Sequence, residues 1–229
     1  NKQIVSGRSF CPKCKKKINW YDNLPLISFF LLNGKCRNCN KVIPVRYLIV
    51  ELITGISFLL IYLNFKNLNT IIFLSILILI LIIIFFIDLE NFIIPDTLNF
   101  SIMGLALFKN FLPNFNTILI HEINQSIIGG MVGYISIWLI IYLYKIFKKI
   151  DGMGLGDAKL MAGIGFLFGW QSIPFVLFVS SILGLIFVVP SLIKKQKNMR
   201  TEIPFGPFII LACLIYFAYG SLIYDLILV

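Results

Sequence analysis

Long apolar runs separated by short polar segments make up most of this chain after about residue 46. The runs occupy residues 46–64, 70–87, 97–112, 126–147, 172–193 and 205–225, and a shorter run occupies 158–170. A helix needs about 20 apolar residues to cross a bilayer, and most of these runs approach that length. The pattern predicts an all-α polytopic membrane protein with about seven transmembrane segments. The run at 158–170 is either a half-helix buried against its neighbours or the core of a longer span.

The composition supports a membrane protein rather than a soluble one. The 229 residues are 59% hydrophobic and 13% charged, whereas soluble domains are about half apolar and about a quarter charged. An earlier apolar stretch, Leu24–Leu32, is too short to cross a bilayer. We expect that stretch to lie at the membrane interface or to pack on its own loop.

The basic residues predict the orientation of the chain. If residues 1–46 are cytoplasmic and every run crosses, 18 of the 20 Lys and Arg are cytoplasmic, and only Lys66 and Lys109 lie outside. This asymmetry is what the positive-inside rule expects. If 158–170 did not cross, the basic run at 194–200 would lie outside. Topology and anionic lipid therefore account for the net charge of +10, and no nucleic-acid partner is predicted.

Two CxxC pairs, Cys11/Cys14 and Cys36/Cys39, precede the first long run and are separated by 21 residues. Four thiolates at this spacing suit one tetrahedral zinc ion, and neighbouring lysines offset their negative charge. Two disulfides or four unrelated thiols are the alternatives, but a cytoplasmic location disfavours disulfides. The pattern therefore predicts a cytoplasmic loop organised by a structural zinc site with four cysteine ligands.

Two aspartates, Asp88 and Asp157, fall at the same predicted membrane face although they are distant in sequence. Carboxylates at the edge of the hydrocarbon region are costly and usually functional. Two that lie close together share a proton, which is the chemistry of aspartyl proteolysis. Glycines at 152, 154 and 156 precede Asp157; Gly154 and Gly156 would allow the close approach of an extended peptide.

Other roles for these carboxylates are open at this point. Asp157 could cap the helix that follows it, and Asp96 could cap the helix after Pro95. Asp88 could pair with Lys159. His121, the one histidine in the chain, is predicted on the outer side, which disfavours Ser-His or zinc-His proteolysis.

Six ordered blocks carry a resemblance to a known family. They are "GRSFCPKC", "INWYDNLPLISFFLLNGKCRNC", "IPVRYLIVEL", "FIDLENFIIPDTLN", "GMGLGDAKLMAGIGFLFGW" and "EIPFGPF". The chain resembles the type IV prepilin peptidases, bifunctional leader peptidases and N-methyltransferases of the GxGD intramembrane aspartyl protease class. The resemblance implies that Asp88 and Asp157 form the catalytic pair.

The resemblance also implies a substrate and a location. The chain would cut the basic leader from type IV prepilins or pseudopilins, after a glycine, on the cytoplasmic face of the bacterial inner membrane. It would then methylate the new amino-terminal residue, with S-adenosylmethionine as donor. Residues 1–45 would form a four-cysteine module linked to methylation, and residues 46–229 the membrane domain with the protease site. Because the family has a membrane helix before the cysteine module, an eighth segment is expected ahead of residue 1.

The methyltransferase residues are less well marked. No GxGxxG motif follows a strand, so a Rossmann-type donor site is not indicated. A cationic donor favours a nearby carboxylate, which makes Glu51 in "RYLIVEL" and Asp22 in "WYDN" candidates. A salt bridge from Glu51 to Arg46 or Arg37 is an equal alternative. Lys159 could tune the aspartate pair or bind a substrate carbonyl, or could simply be a topology-setting charge.

Two functions of other classes are alternatives to this one. A transporter using intramembrane carboxylates would show internal repeats or paired broken helices, and the sequence shows no repeat. A non-catalytic zinc-knuckle protein of a pilus or secretion complex would tolerate the loss of Asp88 and Asp157.

Overall fold

A computed structural model describes residues 9–24, 26–111, 122–149, 153–193 and 203–227. Within these ranges the chain is helical apart from turns and two isolated β-bridges, which confirms the all-α prediction. His121, Gly152 and the basic run 194–200 lie outside the described residues. The chain forms two compact units, Asn1–Asn64 and Phe65–Val229, which are described separately.

The amino-terminal unit contains two knuckles built in the same way. In each knuckle, the backbone N–H of the first cysteine donates to a lysine carbonyl five residues later. These hydrogen bonds are Cys11 to Lys16, 3.0 Å, and Cys36 to Lys41, 2.8 Å. The residue after the second cysteine has a left-handed φ in both knuckles: Lys15 at 56° and Asn40 at 54°. The tight turns bring the cysteines of each pair onto one side of their loop.

A short connection joins the two knuckles, and a long helix follows them. The connection consists of a 3₁₀ turn, Trp20–Asn23, and helix α1, Ile27–Leu31. The long helix, α2, is Val45–Asn64. The backbone N–H of Leu26, just before α1, donates to Glu51 Oε2 at 2.9 Å. This contact fixes the start of α1 against α2.

The second unit is a bundle of helices. They are α3 (Leu68–Asn91), α4 (Asp96–Phe108), α5 (Ile123–Lys148), α6 (Leu155–Phe168), α7 (Ser172–Ile193) and α8 (Gly206–Ile227). Each of the seven predicted apolar runs corresponds to one helix from α2 to α8. Among the described residues, four helices are long and apolar enough to cross a membrane. They contain Val45–Asn64, Leu68–Asn91, Ile123–Lys148 and Ser172–Val189.

Helix α6 is the centre of this second unit. It contacts α4, α5, α7 and α8, and residues from Ala158 to Phe168 are almost all buried. Its 14 residues extend about 21 Å, which is less than the ~30 Å of the hydrocarbon core. Of the two alternatives for the run at 158–170, the structure therefore adopts the short helix buried against its neighbours.

Glycines allow α5 and α6 to pack with their backbones in contact. A Cβ atom added at Gly129 would overlap the carbonyl oxygen of Gly165, and one added at Gly165 would overlap that of Gly129. Small residues permit this kind of close helix crossing in membrane proteins. The crossing fixes α6, and α6 carries Asp157.

Lys109 has a structural role at the other end of α6. Its side chain is fully buried, and its Nζ donates to the carbonyl oxygens of Phe166 and Leu167. These are among the last carbonyls of α6, which lack partners within the helix. The positive-inside rule predicts Lys109 among the outward-facing charges, whereas its ammonium group lies inside the bundle and caps a helix.

Candidate active site

Asp88 lies in the last turn of α3, and its side chain is 4% exposed. Its Oδ2 accepts a hydrogen bond from the backbone N–H of Gly206 at 3.0 Å. Gly206 is the first residue of α8, so this N–H has no partner within its own helix. The positive end of a helix therefore faces the carboxylate of Asp88.

Asp157 is the third residue of α6 and is 8% exposed. The N-cap position belongs to Gly154, so Asp157 is not the N-cap residue, although its carboxylate reaches back to the backbone N–H of Gly154. Asp157 Oδ1 is buried and has no hydrogen-bond partner among the described residues. A buried, unbonded carboxyl oxygen is costly unless a proton, a water or a ligand satisfies it.

The structure brings Asp88 and Asp157 into one site, where their charges are close enough to interact. Ile94, in the loop after α3, packs beside the starts of both α6 and α8. A Cβ atom added at Gly156 would lie 3.1 Å from Ile94 Cβ, and one added at Gly206 would lie 3.0 Å from Ile94 Cδ1. The buried Ile94 side chain thus holds the two helix starts around the carboxylates.

The two glycines predicted to support the site differ in their surroundings. A Cβ atom added at Gly154 would make only ordinary van der Waals contacts, 3.8 Å from Gly156 N and 4.0 Å from Asp157 Oδ2. A Cβ atom at Gly156 would be tightly packed against Ile94. Among the described residues nothing would clash with a Cβ atom at Gly154, whereas Gly156 is small because Ile94 occupies the space beside it.

Lys159 forms an ion pair with Asp96, with Nζ 2.6 Å from Oδ1. It does not pair with Asp88, and its Nζ also lies 5.9 Å from the centre of the Phe100 ring. Asp96 is the first residue of α4, and the cap position belongs to Pro95. The ion pair links the start of α4 to the first turns of α6, next to the aspartate pair.

Sequence reasoning missed two residues of the site, Gly206 and Asn99. Asn99 is fully buried in α4, and its Nδ2 donates to the carbonyl of Gly156 at 3.3 Å. Its Oδ1 is buried without a hydrogen-bond partner in the described part of the chain. The signals in the sequence were the glycine within "EIPFGPF" and a polar residue in the apolar stretch of α4.

The four cysteines of the knuckles form a candidate metal site. Their sulfur atoms all lie within 4.8 Å of one another, and Cys11 Sγ is 3.9 Å from Cys39 Sγ. A tetrahedral zinc ion with bonds of about 2.3 Å separates its sulfur ligands by about 3.8 Å. All four cysteines are free thiols, so the disulfide alternative is not adopted. The geometry and the sulfur donors fit a tetrahedral metal ion.

Electrostatics within the cluster favour a bound cation. The backbone N–H groups of Cys14 and Lys13 lower the pKa of the Cys11 thiol to about 6. The backbone N–H of Lys41 lowers the pKa of the Cys39 thiol. Desolvation and the three neighbouring thiols outweigh this effect and raise the pKa of Cys39 to about 11. The cluster thus favours ionisation of the first thiol, Cys11, and disfavours ionisation of the last one, Cys39. A divalent metal ion binds all four sulfur atoms as thiolates, and its positive charge offsets the repulsion that otherwise disfavours the last ionisation.

The two carboxylates proposed for methylation already have partners. Arg37 binds Asp22 in a bidentate manner, with Nη2 2.7 Å from Oδ1 and Nε 3.0 Å from Oδ2. The hydrogen bond and charge of Asp22 raise the pKa of Arg37. Glu51 accepts the Leu26 N–H described above. Arg37 therefore neutralises Asp22, whereas a backbone group holds Glu51 without cancelling its charge.

Comparison with known proteins identifies the family. The model of the bacterial peptidase A24 N-terminal domain matches residues 1–65, and that of the type IV leader peptidase family matches residues 75–189. The chain belongs to the type IV leader peptidase family.

Curated relatives are similar over most of their length and share the name prepilin leader peptidase/N-methyltransferase. The protein from Vibrio cholerae is 37% identical over 93% of this chain and 82% of its own length. The Dichelobacter nodosus and Aeromonas salmonicida proteins are 34% and 32% identical, each over 95% of this chain and 73% of their own length. No solved structure matches the chain.

Proposed function

We propose that this protein cleaves the basic leader peptide from type IV prepilins or pseudopilins and N-methylates the new amino-terminal residue. Membership in the leader peptidase family and the names of the curated relatives support both activities. The observation that carries the proposal is the buried pair of Asp88 and Asp157. These residues come from two helices that are far apart in the sequence, and their side chains are buried and close enough for their charges to interact.

Cleavage follows from two carboxylates that share one proton. The ionised carboxylate takes a proton from a water molecule, and the water oxygen attacks the carbonyl carbon of the scissile bond. The protonated carboxyl donates to the carbonyl oxygen and polarises it. The carbon–nitrogen bond then breaks, and a proton passes to the leaving amine. The N–H of Gly206 holds Asp88 in position during these steps.

The neighbouring residues have supporting roles in this scheme. The absence of a side chain at Gly154, where an added Cβ would clash with none of the described residues, lets the extended leader approach, and Gly156 allows the start of α6 to pack on Ile94. Lys159 helps through its ion pair with Asp96, which fixes the first turns of α6 beside α4.

Methylation belongs to the amino-terminal module, residues 1–45, and proteolysis to the membrane domain, residues 46–229. Cys11, Cys14, Cys36 and Cys39 would hold a structural Zn²⁺ ion that shapes this module. S-adenosylmethionine would supply the methyl group. Of the two candidates for attracting this cationic donor, Glu51 is the stronger, because Arg37 already neutralises Asp22; Glu51 lies just beyond the module, in α2, and is bonded to Leu26 of the module.

The protein is a bacterial membrane protein, and we place its active site on the cytoplasmic side of the inner membrane. The distribution of Lys and Arg supports this orientation. Its partners are then the prepilin substrate and the lipid bilayer, with no nucleic acid.

Mass spectrometry of purified enzyme incubated with a prepilin and S-adenosylmethionine tests the proposal. The expected product lacks the leader and carries one methyl group at its new amino terminus. Metal analysis should find zinc in the wild-type protein and no zinc in the Cys11→Ser variant. An intact prepilin after incubation with folded enzyme would refute the peptidase activity, and an unmethylated product would refute the transferase activity.

A further inference from the structure

The connection between the two cysteine knuckles exposes large apolar side chains. Trp20 is 79% exposed, Leu31 is 77% exposed and Phe30 is 66% exposed, and Ile27 is also exposed. Helix α1 has no buried residue at all. We call these four residues the knuckle apolar patch; Ile27, Phe30 and Leu31 have the i, i+3, i+4 spacing of one helix face, and Trp20 precedes them in the same connection. Water is an unfavourable environment for such a cluster.

The attachment to α2 places this patch at a defined depth. The N–H of Leu26, directly before α1, is bonded to Glu51. Glu51 is the seventh residue of α2, so its Cα lies about 9 Å along the helix from its start. Because α2 is long and apolar enough to cross a membrane, α1 lies beside the first two turns of a membrane-crossing helix. The 20 residues of α2 extend about 30 Å, which matches the thickness of the hydrocarbon core, so this level falls in the outer part of the acyl region of one leaflet.

The charge around the patch matches the surface of an anionic bilayer. Residues 1–46 contain ten Lys and Arg but only one acidic residue, Asp22, and Arg37 pairs with it. Lys15, Lys16 and Lys17, shortly before Trp20, are exposed. Basic residues beside apolar and aromatic ones are typical of segments that lie in a membrane interface. Tryptophan in particular is enriched at that level.

We propose that the knuckle apolar patch inserts into the leaflet from which α2 enters the membrane, so that the cysteine module is anchored by lipid. The occupant is the interface of an anionic phospholipid bilayer. Apolar side chains enter the acyl region, and the neighbouring lysines contact the headgroups. This anchoring is separate from the peptidase and methyltransferase activities and holds whether or not a substrate is present.

Tryptophan fluorescence with brominated lipids measures the insertion directly. The chain has three tryptophans, so Trp138→Phe with Trp170→Phe leaves Trp20 as the sole reporter. The full-length variant is placed in vesicles of mixed zwitterionic and anionic phospholipid, with or without bromine near the glycerol end of the acyl chains. We expect about twofold or stronger quenching of Trp20, since those bromines lie close to the level of interfacial tryptophans. Aqueous iodide should quench it weakly.

A second single-tryptophan protein serves as the control. It retains Trp138, which lies in the middle of the candidate span α5, and its quenching by deeper bromines confirms that the protein is inserted. Phe30→Asp should weaken the lipid quenching of Trp20 and leave that of Trp138 unchanged, because a carboxylate is costly in the acyl region. Strong iodide quenching of Trp20 without bromine quenching would overturn the proposal. Protection from both quenchers would also overturn it, by showing that protein covers the patch.

Discussion

Replacing Gly206 with alanine tests whether α8 forms part of the active site. The added Cβ would lie 2.7 Å from Asp88 Oδ2 and 3.0 Å from Ile94 Cδ1. Ordinary contacts begin near 3.4 Å, whereas the added Cβ lies 2.7 Å from Asp88 Oδ2. The carboxylate and the start of α8 must therefore separate by the difference, about 0.7 Å. The 3.0 Å hydrogen bond from the Gly206 N–H to Asp88 then lengthens or breaks.

The expected loss of activity follows from that hydrogen bond. Hydrogen bonds to charged groups contribute about 1.5–3 kcal/mol, and about 1.4 kcal/mol corresponds to a tenfold change in rate. We therefore expect Gly206→Ala to lower kcat/KM for leader cleavage by about 10- to 100-fold, as small displacements of a reacting group also do. The assay is the initial rate of leader loss by purified enzyme.

The matched control for this variant is Gly104→Ala in α4, where an added Cβ meets nothing within 4 Å. Alanine also favours a helix more than glycine does, so cleavage should stay near the wild-type rate. Methylation of a pre-cleaved pilin by Gly206→Ala should be retained, and a thermal unfolding temperature in detergent close to that of the wild type would show that its membrane domain is folded. A folded Gly206→Ala enzyme that cleaves as fast as Gly104→Ala would refute the role of α8 in the site.

Three further changes probe the surroundings of the site and the metal. Gly154→Val should reduce prepilin cleavage, because an added Cβ at this position clashes with none of the described residues and the position is assigned to the leader; unchanged cleavage would make Gly154 only part of a turn. Asn99→Leu should slow cleavage more than Asn99→Ala, because only the smaller residue leaves space for a water to bond the Gly156 carbonyl. The opposite order of rates would assign Asn99 to packing alone. Removing the metal with a strong chelator should impair methylation more than cleavage, when both are measured on one substrate; equal losses would contradict the division of roles.

The packing of α5 against α6 gives a stability prediction in the same group: Gly165→Ala should lower the thermal unfolding temperature in detergent, because the added methyl overlaps a carbonyl of α5. An unfolding temperature equal to that of the wild type would show that the two backbones are not in contact.

The helices could be predicted from sequence because crossing a bilayer imposes a local requirement. Each span must be a continuous apolar run, and the run at 172–193 coincides with α7, Ser172–Ile193. The start of α6 was harder to predict. Its first turn, Leu155–Asp157, belongs to a glycine-rich segment that resembles a turn. Its short length is possible only because four neighbouring helices bury it, and hydropathy alone does not reveal that burial.

The candidate site was predictable only in part, for a related reason. A carboxylate at the end of an apolar run, such as Asp88 or Asp157, is conspicuous because it is costly there. Gly206 contributes only a backbone N–H to a residue 118 positions away. Asn99 acts on a carbonyl 57 positions away. Such roles depend on tertiary contacts, and the residue types alone do not indicate them.

Charged residues show the same limit. The basic residue Lys109 counts toward topology by its position in the sequence, yet it caps α6 from inside the bundle. Glu51 has arginines nearby in the sequence as possible partners, yet it accepts a backbone N–H. The sequence shows which charged side chains are available to form ion pairs. It does not show which partner each one takes, because several opposite charges and many backbone groups lie within reach.

We propose above that Asp88 and Asp157 act together on the leader peptide. The most direct measurement is the mass of a prepilin co-expressed with wild-type protein, with Asp88→Ala and with Asp157→Ala, at matched levels of membrane-inserted enzyme. We expect a pilin without its leader in the wild type and an intact prepilin in both variants. Leader loss at a near wild-type rate in either variant would contradict the proposal.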